Sequence, residues 1–385
     1  MTRRYFDWAA TSPPDPSILT ESLSQSLQLS GNPSSRHAEG RAARRALEDA
    51  RARCAVVLGV DTKTLFFTSG GTESNNLVLQ SNLFAHGERG IAISPIEHPS
   101  VLEPALRLKK LGVSVTSLQA SADGRIGADT LRRSLMRHPE NRMLAIMGVN
   151  NETGAVMDIP LLVPAARETT GSKGIHFHCD AVQALGKVPI HLHDWDVDSA
   201  SFSAHKIGGP RGIGILYARK PFHALYSGGE QENGVRAGTE NLFGVLAFTA
   251  VLEKYASCAA VATNGTVAAF RWARLIAALR SIVGCRLIPA DRTENDERFS
   301  PYILQVSFSG VPGEVLVRAM DDAGFSISTG SACSSNSKKR PVLEAMGLDE
   351  KTAFEAVRLS QGNGTTDEDI DALIDGLRLC VRSLR

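Results

Sequence analysis

The chain contains no C-x-x-C pair, and its six cysteines, at 54, 179, 258, 285, 333 and 380, are scattered over 385 residues. That spacing excludes a disulfide framework and a zinc ribbon, so each is read as a free thiol. No run of eighteen apolar residues is present to span a bilayer, and the opening MTRRYFDWAATSPPDP lacks the apolar stretch of a secretory leader. Nor is there an excess of one charge. With 42 Lys and Arg against 41 Asp and Glu, the formal net charge is +1, so no field gathers nucleic acid or an anionic membrane surface. Internal repeats and low-complexity segments are absent; DRTENDERFS reads as an exposed charged loop. The acceptor patterns beginning at Asn151, Asn264 and Asn363 occur at the level of chance. A soluble cytoplasmic protein is expected, with neither nucleic acid nor membrane as a partner.

What is present is alternation. From about 40 to 250, short β-rich runs alternate with helical stretches: TLFFTSG and a helix from Thr72 to about Ala85, IAISPI and a helix through VLEPALRLKKLG, then VSVTSL, MLAIMGVN, GIHFHCD, DSASFSAH and GIGILYA. This pattern predicts an α/β fold with a largely parallel sheet between helices. Polar residues cluster where the strands end (SGGTE, EHPS, NNETG, DAVQ, SAHK), and ligands in open α/β sheets sit outside those ends. One cleft is expected there. Near 256–270 the texture changes to a long Ala-rich amphipathic helix. A smaller α+β domain follows, so the predicted division is a large domain over 13–255 and a small one from 1–12 and 256–385. In the last helix, Thr366 is the expected N-cap, with acids in the first turn and arginines in the last.

Three segments carry candidate chemistry. FFTSGGTESNN sets two glycines and Thr72 at a strand-to-helix junction, where backbone N–H groups can hold a phosphate; such a turn also needs glycine for its geometry. HCDAVQ places Asp180 at a strand end with Gln183 three residues on. That carboxylate could pair with the protonated nitrogen of a pyridine ring, while spacing alone favours a helix N-cap. His176 and His178 share a strand face but bring no third or fourth ligand, so no metal is expected. SASFSAHKIGGPRG ends a strand with Ser203, His205 and Lys206, and a half-buried lysine near a phosphate can give up its proton and form a Schiff base.

With these blocks in order, the chain resembles the cysteine desulfurases of the NifS and IscS type, in the class V aminotransferase group of fold-type I pyridoxal-phosphate enzymes. The resemblance runs nearly end to end through YFDWAAT, GNPSSRH, FTSGGTESNN, EHPSVLE, VNNETG, FHCDAVQALGK, SAHKIGGPRGIG, GGEQENGVRAGTEN, STGSACSS and VRLS. It implies a seven-stranded, mostly parallel sheet in the large domain and pyridoxal 5'-phosphate as cofactor. By the same resemblance Lys206 is the Schiff-base lysine, Asp180 the pyridine partner, Gln183 the partner of the ring hydroxyl and His98 the imidazole stacked on the ring. Gly71, Thr72, Ser203 and His205 belong to the phosphate seat, which Thr239 reaches from a second subunit of a homodimer. Asn32, Asn151 and Arg358 receive the substrate carboxylate.

Cys333 lies in STGSACSSNSKKRP, polar and glycine-bearing enough to be a loop rather than a core thiol. The resemblance makes it the nucleophile that takes sulfur from L-cysteine, with His98 as acid or base. Lys338, Lys339 and Arg340 would favour its thiolate if the loop folds that way. Cys54, Cys258, Cys285 and Cys380 read instead as core or boundary residues. The product would pass to an acceptor or scaffold protein of iron-sulfur assembly, or to transfer-RNA thiolation. Three departures stand out: Pro341 runs straight into Val342 and Leu343 after SKKR, AVRLSQG replaces a more usual Ser-Ile-Arg-Leu-Ser-Leu-Gly, and Gly71 stands where alanine is common. A selenocysteine lyase, a class V aminotransferase and a docking subunit of reduced activity are the competing readings. The cysteine in the loop speaks against the aminotransferase, and the joint presence of Lys206, Asp180, His98, Arg358 and Cys333 against the docking subunit.

Overall fold

A computed structural model describes residues 3–85, 90–220, 227–330 and 339–385. In chain order the first elements are β1 (Arg4–Tyr5), α1 (Pro16–Leu27), α2 (Ala38–Leu58), β2 (Leu65–Thr68), α3 (Gly71–Ala85), β3 (Gly90–Ile93), α4 (Pro99–Lys110), β4 (Val115–Ser117), α5 (Ala128–Arg137), β5 (Asn141–Ala145), α6 (Ile159–Thr170), β6 (His176–Asp180), α7 (Leu192–Trp195), β7 (Ser199–Ser203), β8 (Gly214–Ala218) and α8 (Leu242–Ala256). There follow α9 (Cys258–Arg280), β9 (Cys285–Ile288), β10 (Ile303–Phe308), α10 (Gly313–Asp322), β11 (Phe325–Ser326), α11 (Pro341–Ala345), α12 (Glu350–Glu355), β12 (Ala356–Ser360) and α13 (Asp367–Ser383).

The alternation of apolar strand and amphipathic helix closes as predicted, into a seven-stranded sheet of order β2-β8-β7-β6-β5-β3-β4. β7, β6, β5, β3 and β4 run parallel, while β8 is antiparallel to both β7 and β2. Covered on both faces, strands such as β2 and β7 are buried along their whole length, which is why they read as short continuous runs rather than alternating ones. Gly214 begins β8 where a Cβ would come 2.6 Å from Gly70 Cα; only glycine lets that strand pass beneath the turn leading into α3.

A second sheet, β12-β10-β9, is antiparallel. Its core joins Val306, Phe308, Val357 and Leu359 to Trp272 of α9, Leu316 of α10 and Leu373 and Leu377 of α13, and Phe6 enters it from the chain start. That start is tied in by β1 pairing with β11. Thr366 caps α13 in a capping box with Asp369, as the acid-rich first turn anticipated. Among the described residues no single helix is long and apolar enough to cross a membrane. Cys54 and Cys380 are buried and Cys285 is half-buried, as expected, whereas Cys258 is exposed: it opens α9 directly after the Ser257 N-cap, where the apolar stripe has not begun.

Candidate active site

At the carboxyl ends of the parallel strands lies a cavity of about 590 Å³. Of the residues singled out by sequence, Gly71, Thr72, His98, Asn151, Asp180, Gln183, Ser203, His205, Lys206 and Arg358 all line it. They arrive from many elements: the α3 N-terminus, the α4 N-cap, the turn after β5, the ends of β6 and β7, and β12. Asn32 and Thr239 are exposed and do not line it within one chain; Asn32 Oδ1 instead accepts from the Ser34 N–H at 2.9 Å. Cys333 and Lys338 lie outside the described residues.

Asp180 is the last residue of β6 and is buried. The chain then turns instead of entering a helix, so its carboxylate caps a turn: Oδ1 accepts from Val182 N at 3.0 Å and Oδ2 from Asn75 Nδ2 at 2.7 Å. Lys206 Nζ donates to the carbonyl oxygens of Ala9 at 2.7 Å and Ala10 at 2.8 Å. Gln183 Nε2 donates to the same Ala9 oxygen, and its Oε1 accepts from Lys187 Nζ. Arg358, almost wholly buried, is held by Asp7 at 2.7 Å and by the Asn151 carbonyl at 2.8 Å.

Charge at the site follows burial. Burial first, then Lys206 nearby, pushes the His205 imidazole down to about 4; its Nδ1 meets Thr11 Oγ1 at 3.1 Å. Burial likewise lowers His98, with Asp180 pulling the other way and Lys206 adding to the fall. His98 is both the N-cap of α4 and a wall of the cavity. Arg340, one of the three cations named beside Cys333, has partners of its own. Its guanidinium is buried, turned inward onto Glu152, the Ala353 and Ala356 carbonyls and the Thr329 carbonyl.

The family model for class-V aminotransferases matches residues 4–373. The chain belongs to that family. Within it, this family member is 35% identical to the cysteine desulfurase IscS of Dictyoglomus turgidum, over 99% of this chain and 95% of the relative. It is 36% identical to a cysteine desulfurase of Cereibacter sphaeroides, over 100% of this chain and 97% of that one. Among solved structures, a NifS-like protein superposes with a TM-score of 0.89 at 32% identity, covering 99% of this chain and 100% of the other. SspA in complex with cysteine gives 0.79 at 29% identity, with 94% and 100% covered. The NifS and IscS resemblance and the α/β fold are therefore borne out. As a member of the class-V aminotransferase family the chain is an enzyme of a pyridoxal-phosphate-dependent group.

The donor set of this family member fits that cofactor. An amine (Lys206), a buried carboxylate (Asp180), a hydroxyl at the α3 N-terminus (Thr72), a hydroxyl at the end of β7 (Ser203) and the imidazole of His205 just beyond it share one cavity. Beside Ser203 the backbone is left bare: a Cβ on Gly70, where φ is +149°, would sit 3.6 Å from Ser203 Oγ. Gly71 has its own reason to lack a side chain, since a Cβ there would meet Val182 Cγ2 at 2.5 Å. That contact accounts for the glycine at a position where alanine is common.

Several participants escaped the sequence reading. Glu97, beside His98, is buried on the cavity wall, and burial and Asp180 push its carboxyl well above the usual range. Asp7 orients Arg358, and Lys187 orients Gln183. Only Glu97 had a local signal, its place in EHPS; the others act through contacts across nearly the whole chain or within a turn that sequence alone does not define.

Proposed function

We propose that this chain is a cysteine desulfurase: it removes sulfur from L-cysteine with pyridoxal 5'-phosphate, giving L-alanine and a persulfide on Cys333. The convergence of Lys206, Asp180, Gln183, His98, Ser203, His205 and Arg358 on one cavity supports this reading, as does the relatedness to cysteine desulfurases over the whole chain. We also propose the domain division 13–255 against 1–12 with 256–385, in keeping with a separate core around the second sheet.

In this reading Lys206 holds the cofactor through its amine, Asp180 pairs with the pyridine nitrogen, Gln183 meets the ring hydroxyl, and His98 stacks on the ring. Gly71, Thr72, Ser203 and His205 seat the phosphate, joined by Thr239 from a second copy in a homodimer. Bound there, the vitamin supplies an electron sink for the substrate α-carbon. Arg358, pre-oriented by Asp7, receives the substrate carboxylate with Asn151 and Asn32. Lys206 Nζ is the base that carries the α-proton. The Cys333 thiolate attacks the substrate sulfur: an S–S bond forms, the C–S bond breaks, and its electron pair stays with the three-carbon fragment, which takes up protons and leaves as alanine. Cys333 then passes the sulfur to an acceptor, for which an iron-sulfur scaffold protein or a transfer-RNA thiolation partner are the candidates.

Incubation of the purified protein with labelled cysteine, followed by mass analysis, tests the assignment. The peptide containing Cys333 should gain one sulfur and alanine should appear in solution. Replacing Cys333 by Ser should keep the yellow cofactor and abolish alanine release, and turnover by that variant would overturn the role of the thiol.

A further inference from the structure

Asn75 lies in the second turn of α3, fully buried, inside the block FTSGGTESNN but with no role read for it there. Its Nδ2 donates both to Asp180 Oδ2 at 2.7 Å and to Ser100 Oγ at 2.8 Å, while its Oδ1 stands 2.9 Å from His178 Nε2. Ser100 Oγ is in turn 2.8 Å from His98 Nδ1, and the Ser100 backbone N–H donates to the same nitrogen at 3.1 Å. On the far side, His178 Nδ1 and His176 Nε2 each meet Ser199 Oγ at 2.8 Å.

Donor and acceptor chemistry fixes every proton in this chain once one end is known. An ionised carboxylate only accepts, so Asn75 must turn its amine toward Asp180 and its oxygen toward His178. His178 then carries its hydrogen on Nε2 and accepts from Ser199 at Nδ1. The second amide hydrogen of Asn75 points at Ser100 Oγ, which leaves the hydroxyl's own hydrogen for His98 Nδ1. That nitrogen also faces the Ser100 backbone N–H. A hydrogen on Nδ1 would confront that donor directly, so Nδ1 presents its lone pair and the neutral ring carries its proton on Nε2. Nδ1 is thus turned onto Ser100, and Nε2 is the nitrogen left for the cavity that His98 lines.

We propose that Asn75 and Ser100 are positioning residues that lock His98 as the Nε2–H tautomer, so that the imidazole enters the cavity as a hydrogen-bond donor and not as a base. Burial, with Lys206 adding to it and Asp180 opposing, also lowers the His98 pKa, which favours the neutral ring that this geometry requires. The acceptor that Nε2–H would meet, the sulfur of a bound cysteine as thiolate, rests on the function proposed above; the tautomer does not.

Nitrogen-15 NMR of the histidine-labelled full chain tests this, recorded without cofactor and again after adding pyridoxal phosphate, with His98→Gln to assign the signal. The expected spectrum shows a pyridine-type Nδ1 and a pyrrole-type Nε2 for His98. Ser100→Ala and Asn75→Leu should each move the tautomer ratio toward Nδ1–H by about fivefold, and Ser100→Thr should restore it. Ser100→Ala deletes only a hydroxyl and keeps the test open if Asn75→Leu does not fold. A wild-type His98 protonated on Nδ1, or an unchanged ratio in folded Ser100→Ala, overturns the proposal. Failure to take up pyridoxal phosphate would instead strike the proposed function and leave the tautomer result standing.

Discussion

Lys206 and Gln183 share one acceptor: the Lys206 amine and the Gln183 amide each donate to the Ala9 carbonyl oxygen at 2.7 Å. The shared oxygen belongs to the chain start, which β1 and Phe6 anchor in the second core. Two groups of the cavity are thereby aligned by a segment far away in sequence. If Lys206 holds the cofactor, borohydride reduction of the loaded protein should leave a pyridoxyl adduct on the Lys206 peptide. Lys206→Ala should show no adduct, and alanine formation should fall by about a thousandfold or more. An adduct on another lysine would remove Lys206 from its role.

Lys187 is buried, and its amine donates to Gln183 Oε1. Burial, reinforced by the cations Lys206 and Arg358, lowers its pKa well below the ordinary lysine value. A lysine neutral when folded but charged when unfolded costs stability at all pH below its unfolded pKa, and the cost fades as pH rises toward that value. Lys187→Met should therefore match or exceed the parent in urea midpoint at pH 7, by roughly 1 kcal/mol after loss of the hydrogen bond. The advantage should shrink by pH 10. A variant destabilised equally at both values would contradict this.

Glu232 stands in left-handed backbone, φ 48°, within the loop that carries Thr239. Its carboxylate grips Arg51 through two bonds of 2.6 and 2.8 Å and accepts from the Phe67 N–H at 2.8 Å. Glu232→Ala leaves the Arg51 guanidinium buried without that partner. The expected loss is about 3–5 kcal/mol in chemical denaturation, and a loss under about 1 kcal/mol would show that the pair does not hold the loop.

His178 is fully buried, and burial pushes its pKa down from 6.5 to about 3. The unfolded state binds this proton first, so stability falls as pH drops from 6.5 and levels off near 3, by at most about 5 kcal/mol. His178→Asn, which keeps a donor for Asn75, should flatten that part of the stability profile measured by thermal melts between pH 7 and 5. An unaltered slope would place the acid sensitivity elsewhere.

Asp180 and Lys206 were legible because strand ends in an α/β alternation collect polar groups, and the glycines at 70 and 71 because they punctuate a strand-to-helix junction, where Gly70 takes φ +149° and a Cβ on Gly71 would meet Val182. The seven strands and the capped final helix could be read for the same reason: periodicity and capping are local. Asn75, Lys187, Asp7 and Glu232 looked like ordinary polar residues. Arg340 looked like a loop charge and proved to be a buried ligand of Glu152.

The sequence by itself determined which chemical groups this protein owns and which end of the sheet would gather them, since strand, helix and turn preferences act over a few neighbouring residues. Only the tertiary structure decided which nitrogen of His98 carries a proton and why a lysine lies buried beside Gln183. Those states depend on burial and on partners brought within 3 Å by the fold, and no local pattern encodes such partners.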